Sequence, residues 1–238
     1  MRSSIASACR ALVAAAACAA GLGAAAPAGA AAGAGDAPEA AAPAPPEGTL
    51  TLETLMARMA ATSGVRARFR ERKEVALLSR PLESEGVLFF VPPRRLARFT
   101  TAPTEQAFVI DGERLSFHDA AGGDRVDLSR NAVARTVVEN FVVLFGGDLA
   151  ALRARYETQF AADGPRWRLG LVPRDARVRA VLSRVDLAGE GPKLLEMAVS
   201  EAEGDRTVTT FPEVVVDVRF DAATLARAFP QDGSRPRP

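Results

Sequence analysis

The sequence predicts a mainly β protein with some α: one curved antiparallel sheet of about eleven strands, with a few helices packed against it. Three observations lead there. Short apolar or alternating runs recur from Val65 to Phe220. Tight-turn signals such as Asp111-Gly112, Asp163-Gly164 and Gly204-Asp205 separate them. Two longer stretches carry a helical period, one ahead of the strands and one interrupting them. Sequential strands joined by short turns pair antiparallel, and a sheet of this many strands curls towards a barrel.

The chain opens with a basic start (Arg2, Arg10), an apolar stretch from Ala11 to about Ala26, and the small-residue site Ala28-Gly29-Ala30. That order predicts a cleaved secretory signal over 1–30, too alanine-rich and short for a membrane span. A lipid-attachment reading at Cys18 is weaker, because Ala15-Ala16-Ala17 precede it. Residues 31–48 are rich in Ala and Pro and predict a disordered linker. The folded domain is expected over 49–230, with an unstructured tail over 231–238.

Within that domain, Thr51 caps a helix whose Leu52, Leu55, Met56 and Met59 share a face, ending near Ser63-Gly64. "VRARFRER" alternates: Val65, Ala67 and Phe69 face one way, Arg66, Arg68, Arg70 and Arg72 the other. Four arginines on one strand face repel unless compensated, and Glu83 and Glu85 lie within hairpin reach. After Pro81 comes the apolar strand Gly86–Val91, stopped by Pro92-Pro93, then "RLARFTT". "AFVIDGERLSFHD" predicts a hairpin with arms Ala107–Ile110 and Arg114–Phe117 about the turn Asp111-Gly112. "DRVDL" comes after it. Asn131 caps a helix, "AVARTVVENFVVLF", that Gly146-Gly147 ends, and Asp148 starts a further turn. Strands are then expected at Tyr156–Ala161, Trp167–Val172, Arg177–Leu187, Leu194–Ser200, Thr207–Phe211 and Val214–Phe220. "DAATLARAF" closes with a short helical or extended piece.

The residue inventory argues against enzyme classes. His118 is the only histidine, and it ends a hairpin strand beside Asp119. Both cysteines, Cys9 and Cys18, fall in the leader, leaving the rest without thiolate chemistry. There is no phosphate-binding glycine loop, no Gly-x-Ser-x-Gly and no metal-ligand spacing. No catalytic residue, metal or cofactor is expected. Formal charge is +1 for the whole chain; removing Arg2 and Arg10 with the leader, and no acid, makes it −1. A near-neutral chain gives no support for nucleic-acid binding.

The apolar pattern says more. Val87, Leu88, Phe89, Phe90 and Val91 do not alternate, so both faces of that strand are covered. The inserted helix has the same property, since from Val137 to Phe145 only Glu139 and Asn140 are polar. Either the sheet packs between a core and another element, or its concave side holds an apolar cavity suited to acyl chains.

From Leu50 to about Phe229 the chain resembles the LolA family of periplasmic outer-membrane lipoprotein carriers, in a divergent branch. The likeness rests on an ordered set: the leading helix, "VRARF", "SEGVLFFVPPRRLARF", the Asp-Gly hairpin "AFVIDGERLSFHD", "LFGGDLAALRARYETQF" and "RWRLGLVPRD". The resemblance implies an unclosed β-barrel with helices covering its mouth, and a periplasmic carrier moving acyl chains of lipoproteins or a related lipid from inner to outer membrane. It implies as partners an inner-membrane lipoprotein-releasing transporter and an outer-membrane acceptor, with the carrier a monomer. An envelope lipid or stress sensor on the same sheet is the alternative. On this reading Phe89, Phe99, Phe108, Ile110, Phe117, Phe141 and Phe145 are expected to line the lipid cavity. The family's carriers have an arginine where this chain has Pro92. Arg94 and Arg95 come just after it as candidates for a lid latch, bonding carbonyls at the Gly146-Gly147 helix end.

Overall fold

The computed structural model describes residues 50–131, 135, 138–139, 142–143 and 145–238. The expected leader and linker lie outside them. Eleven strands form one antiparallel sheet: β1 Val65–Glu74, β2 Leu82–Val91, β3 Arg95–Ala102, β4 Gln106–Asp111, β5 Arg114–Asp119, β6 Gly122–Asp127, β7 Tyr156–Asp163, β8 Arg166–Pro173, β9 Leu182–Glu190, β10 Lys193–Glu201 and β11 Arg206–Val216. Their order is β6-β5-β4-β3-β2-β1-β11-β10-β9-β8-β7. Two meanders of sequential hairpins thus meet at β1 and β11, and β6 and β7 are the two edges of an unclosed sheet.

Among the described residues, α1 (Leu52–Ala60) precedes the sheet, α2 (Leu149–Arg155) leads into β7, α3 (Ala176–Arg179) is one turn, and α4 (Ala222–Ala228) comes after β11. Helix α1 starts where Thr51 and Thr54 each accept from the other's backbone N–H, a reciprocal cap. Between the two sheet edges, residues 135, 138–139, 142–143 and 145–146 are helical.

Three local expectations shift. Asp111 pairs with Arg114, so it ends β4 and the two-residue turn is Gly112-Glu113, with Gly112 at φ +60°. The start of the strand expected from Arg177 is instead the single turn α3, whose N-terminus Asp175 caps by accepting from Arg177 N–H. The two strands expected about Pro212 are one, β11. Pairing jumps from Arg68–Glu213 to Arg70–Thr210, a bulge opposite Phe69, while β10 pairs only as far as Thr210. Pro212 thus lies beyond the β10 ladder, where its missing N–H costs no bond there.

Packing divides into two cores. The larger fills the concave side and joins Phe69, Phe90, Leu96, Ile110, Leu128, Val138, Tyr156, Leu171 and Phe211 with α1 and α2. The smaller lies on the opposite face of β2–β4: Phe89, Ala97, Phe99, Ala107 and Val109 pack under Ala228 and Phe229 at the end of α4. That packing answers the non-alternating run. Leu88 and Phe90 enter the concave core, and Val87, Phe89 and Val91 are covered by the helix beyond the last strand.

Residues 231–238, expected as an unstructured tail, lie over that same outer face. The Gln231 amide donates to Asp111 and accepts from Arg114. Arg235 pairs with Glu105, and Arg237 N–H donates to the Arg227 carbonyl.

Candidate functional site

Register determines which side chains face the concave side. Cross-strand partners share a face, so Val65, Phe90, Leu96, Ile110 and Leu115 form one inward row, apolar throughout. The next row, moving towards the β1–β2 turn, runs Ala67, Leu88, Arg98, Phe108, Phe117. A third holds Phe69, Gly86, Thr100 and Gln106, and a fourth Glu71 and Ser84. On β1–β5 the concave face therefore changes along the strand axis, from apolar near the β2–β3 turn to polar near the β1–β2 turn. Across β11, by contrast, the rows level with Glu71 and Lys73 run on into apolar Met197, Leu187 and Leu169 and into Val199, Val185 and Leu171.

Over the apolar end lies the helical segment that bridges the two sheet edges. Val138, Val142, Val143 and Phe145 are buried in the concave core, and the Phe145 ring stands 6.0 Å from that of Phe90. Glu139 of this segment pairs with Arg155 at 2.9 Å. Gly147 ends it at φ +69° against α1, where a Cβ would come within 2.4 Å of Met56 O and Ala60 N. Only glycine allows that approach.

At the polar end the Arg98 side chain leans past its partner Leu88 and crosses β2 where Gly86 and Ser84 face the concave side, to reach β1. Its guanidinium carbon stacks 4.3 Å from the Phe69 ring centroid, and Nη2 lies 3.0 Å from Glu71 Oε2. Glu71 also accepts from Thr209 Oγ1 at 3.1 Å and Ser84 Oγ at 3.4 Å. The pair is 12% and 9% exposed. One step further out, Lys73 Nζ bridges Glu201 at 2.8 Å and Asp205 at 3.8 Å, and Asp205 accepts from Ala76 N–H. Thr207, opposite Lys73 and 1% exposed, has a hydroxyl with no hydrogen-bond partner among the described residues.

Of the expected cavity residues, Phe108, Ile110 and Phe145 join the concave core, and Phe117, opposite Phe108, shares that face half-buried near the sheet edge. Phe89 and Phe99 do not: they stand one residue out of phase, ring to ring at 5.9 Å in the outer core, with Phe220 at 5.2 Å from Phe89. Phe141 lies outside the described residues. The expected latch arginines are held elsewhere too. Arg95 points to the outer face, pairing with Asp111 at 3.0 Å and lying 4.3 Å over the Phe229 ring. Arg94 pairs with Glu113 at 3.7 Å. Both tie the β2–β3 turn to the β4–β5 turn, and Arg95 ties it to the end of α4 as well.

The arginine stripe of β1 faces outward and is compensated across the sheet: Arg68 pairs with Glu213 at 3.4 Å and Arg70 with Glu85 at 3.8 Å. Glu83 is opposite Arg72, which pairs with Glu74 at 3.2 Å. His118 is on the outer face with Nε2 buried and unpartnered among the described residues; burial, then Arg125 and Arg235, holds its pKa below the usual imidazole value. Among the described residues no cluster of His, Cys, Asp or Glu could hold a metal, and no helix is long and apolar enough to cross a membrane.

Sequence reasoning missed the Arg98–Glu71 pair. The signal was in the alternation itself: Glu71 and Lys73 continue the inward phase of Ala67 and Phe69, and Arg98 is in phase with Leu96.

An open antiparallel sheet wrapped round an apolar core, its edges bridged by a helical segment, defines a half-barrel of the lipoprotein-carrier type. The family described as "Outer membrane lipoprotein carrier protein LolA-like" matches residues 40–228, and the chain belongs to it. No curated protein matches the chain. Solved structures similar to it include a LolA superfamily protein from Nitrosomonas europaea, at 12% identity and TM-score 0.39, covering 74% of this chain and 97% of that one. A DUF1329 family protein from Desulfovibrio piger matches at 11% identity and TM-score 0.43, covering 77% and 96%. MucB, in its Pseudomonas aeruginosa complex with MucA, matches at 13% identity and TM-score 0.41, covering 73% of this chain and 58% of that one. The chain thus spans little more than half of MucB's length.

Proposed function

We propose that the protein is a periplasmic carrier that takes up acyl chains of lipoproteins, or of a related lipid, on the concave face of its sheet and moves them from the inner to the outer membrane. Membership of the carrier family supports this reading. The observation that carries it is the apolar inward row closed over by a separate segment: Phe90, Leu96 and Ile110 are 0% exposed, and Phe145 beside Phe90 belongs to the bridge between the sheet edges rather than to the sheet. A cover of that kind can move away without breaking a strand pairing, and an acyl chain then takes the place of its apolar side chains against the sheet. Cofactor and metal chemistry have no part in this reading. On the same reading, residues 1–30 are removed on export, and the carrier works as a monomer between an inner-membrane releasing transporter and an outer-membrane acceptor.

The test is mass spectrometry of organic extracts from protein purified out of the periplasm. Co-purifying acylated protein or lipid is the expected result, together with a mature N-terminus near residue 31. Replacing Phe108 with Glu on the concave face should remove the cargo from folded protein, and cargo retained at wild-type level would count against the concave face as its site.

A further inference from the structure

We infer that the polar end of the concave face is a headgroup subsite, and that it selects uncharged amphiphiles, acyl chains carried on an ester or amide, over anionic ones. The inference rests on the acyl-carrier reading and adds the chemical class of the cargo. Two observations carry it independently. The first is the gradient along β1–β5, in which the apolar row of Phe90, Leu96 and Ile110 gives way over three rows to Arg98 and Glu71. A face built this way matches a molecule with an apolar tail and a polar end. The second is unused hydrogen-bonding capacity. Arg98 Nη2 is buried beside Glu71 without the alignment of a hydrogen bond, and the Thr207 hydroxyl, in the same phase of the sheet, has no partner among the described residues.

A buried ion pair is costly to desolvate, and apolar side chains of similar volume usually serve a fold as well or better. Arg98 reaches β1 across Gly86 and Ser84 of β2; Gly86 itself is required by the backbone, since a Cβ there would come within 1.8 Å of Phe99 O as well as 2.9 Å of the Phe69 ring that the guanidinium stacks on. The charge sum sets the ligand class. Arg98 and Glu71 neutralise one another, and further out Lys73 faces two carboxylates, Glu201 and Asp205. The end is therefore neutral at its deepest pair and negative overall, so a carboxylate or phosphate headgroup meets repulsion that no uncompensated cation of this cluster offsets. An ester or amide carbonyl instead accepts from the Arg98 guanidinium, and a hydroxyl or amide N–H donates to Thr207 Oγ1, completing bonds that these groups otherwise leave unmade.

Delipidated full-length chain, equilibrated by dialysis against radiolabelled monopalmitoylglycerol or palmitate, tests this with one tail and two heads. Wild type should take up the glycerol ester at least about tenfold more tightly than the fatty acid. Arg98→Leu combined with Glu71→Leu should bring the two within about threefold while palmitoyl binding persists. Thr207→Val should weaken the ester several-fold and leave palmitate unchanged, and because it removes an unpartnered hydroxyl it should not lower the urea midpoint. The Thr207 variant keeps the test decisive if the double variant fails to fold. Equal or reversed preference in wild type overturns the inference and leaves the carrier reading standing, as does an undiminished preference in both variants. Binding of neither ligand by wild type overturns both.

Discussion

The arm of the sheet from β2 to β4 is covered on both faces, and the arm from β7 to β10 on one. In the first, neighbouring residues Phe89 and Phe90 are both buried, in different cores. In the second, Trp167 is buried with its indole N–H donating to Gly191 O at 2.8 Å, and its neighbour Arg168 is exposed. The outer side of that arm is polar, with Arg184 paired to Asp186 at 2.7 Å and bonded to Gln159. The C-terminal segment makes the difference: α4 and Phe229 return to cover β2–β4 and leave β7–β10 bare. An unbroken apolar run in a sheet therefore reports a second covering element, here a helix rather than a ligand.

The largest expected effects break this contrast directly. Phe89→Ala and Phe90→Ala should each cost about 3–5 kcal/mol in urea unfolding, since each empties a filled core. In the other arm Trp167→Ala should cost a similar amount, whereas Arg168→Ala should stay within about 0.5 kcal/mol. A Phe89→Ala cost as small as that of Arg168→Ala would show that the outer core does not form.

Next in size is the charge inside the doubly covered arm. Arg98→Leu alone strands Glu71 and should cost about 3–5 kcal/mol, most of it recovered when Glu71 is also made Leu. A double-mutant cycle measures the coupling, and additive losses would place the pair in solvent.

Tyr156, the only tyrosine in the chain, sharpens the comparison from the singly covered arm. Burial pushes its pKa up to about 12. Because the unfolded value is near 10, the neutral phenol favours the folded state, and that stability is present below about pH 10 and lost as pH rises towards 12. Absorbance at phenolate wavelengths should stay flat past about pH 10 in folded protein and rise near that pH in urea. A folded-state rise at the same pH as in urea would mean that Tyr156 is wet.

The smallest effect belongs to the outward stripe of β1. Arg68 and Glu213 are 67% and 59% exposed, so Arg68→Ala should change stability by less than about 1 kcal/mol, and less still at high salt. A loss comparable to that of Arg98→Leu would mean that the stripe is packed.

Much of the fold was legible because it is written locally. Alternation marked β1, Thr51 the cap of α1, and the glycine turns the meander. The site was only half legible, and the reason is phase. Phe89 and Phe90 are equally apolar, and nothing in their order says which enters the concave core; the register with Leu96 and Ile110 decides it. Pro212 was misread as a break because the bulge that accommodates it depends on pairing with β1, a tertiary fact. Arg94 and Arg95 come after the family's latch position, which is Pro92 here, and the acids that hold them, Glu113 and Asp111, come from a turn one hairpin further along.

The seam between β1 and β11 carries a consequence for how the chain assembles. All other pairings in the sheet join consecutive strands, whereas Thr210 meets Arg70 across 140 residues. Each arm can zip from its own hairpins, but the seam waits for the last strand and closes a long loop, the slowest kind of contact to form. Until then β1 is a bare edge of a growing sheet, the kind of surface that recruits strands from other chains. The four arginines alternating along it, worth little in the finished molecule, then stand guard: like charges in register repel a second copy of the same edge, and an acid that relieves them on the β11 side, Glu213, arrives with the correct partner.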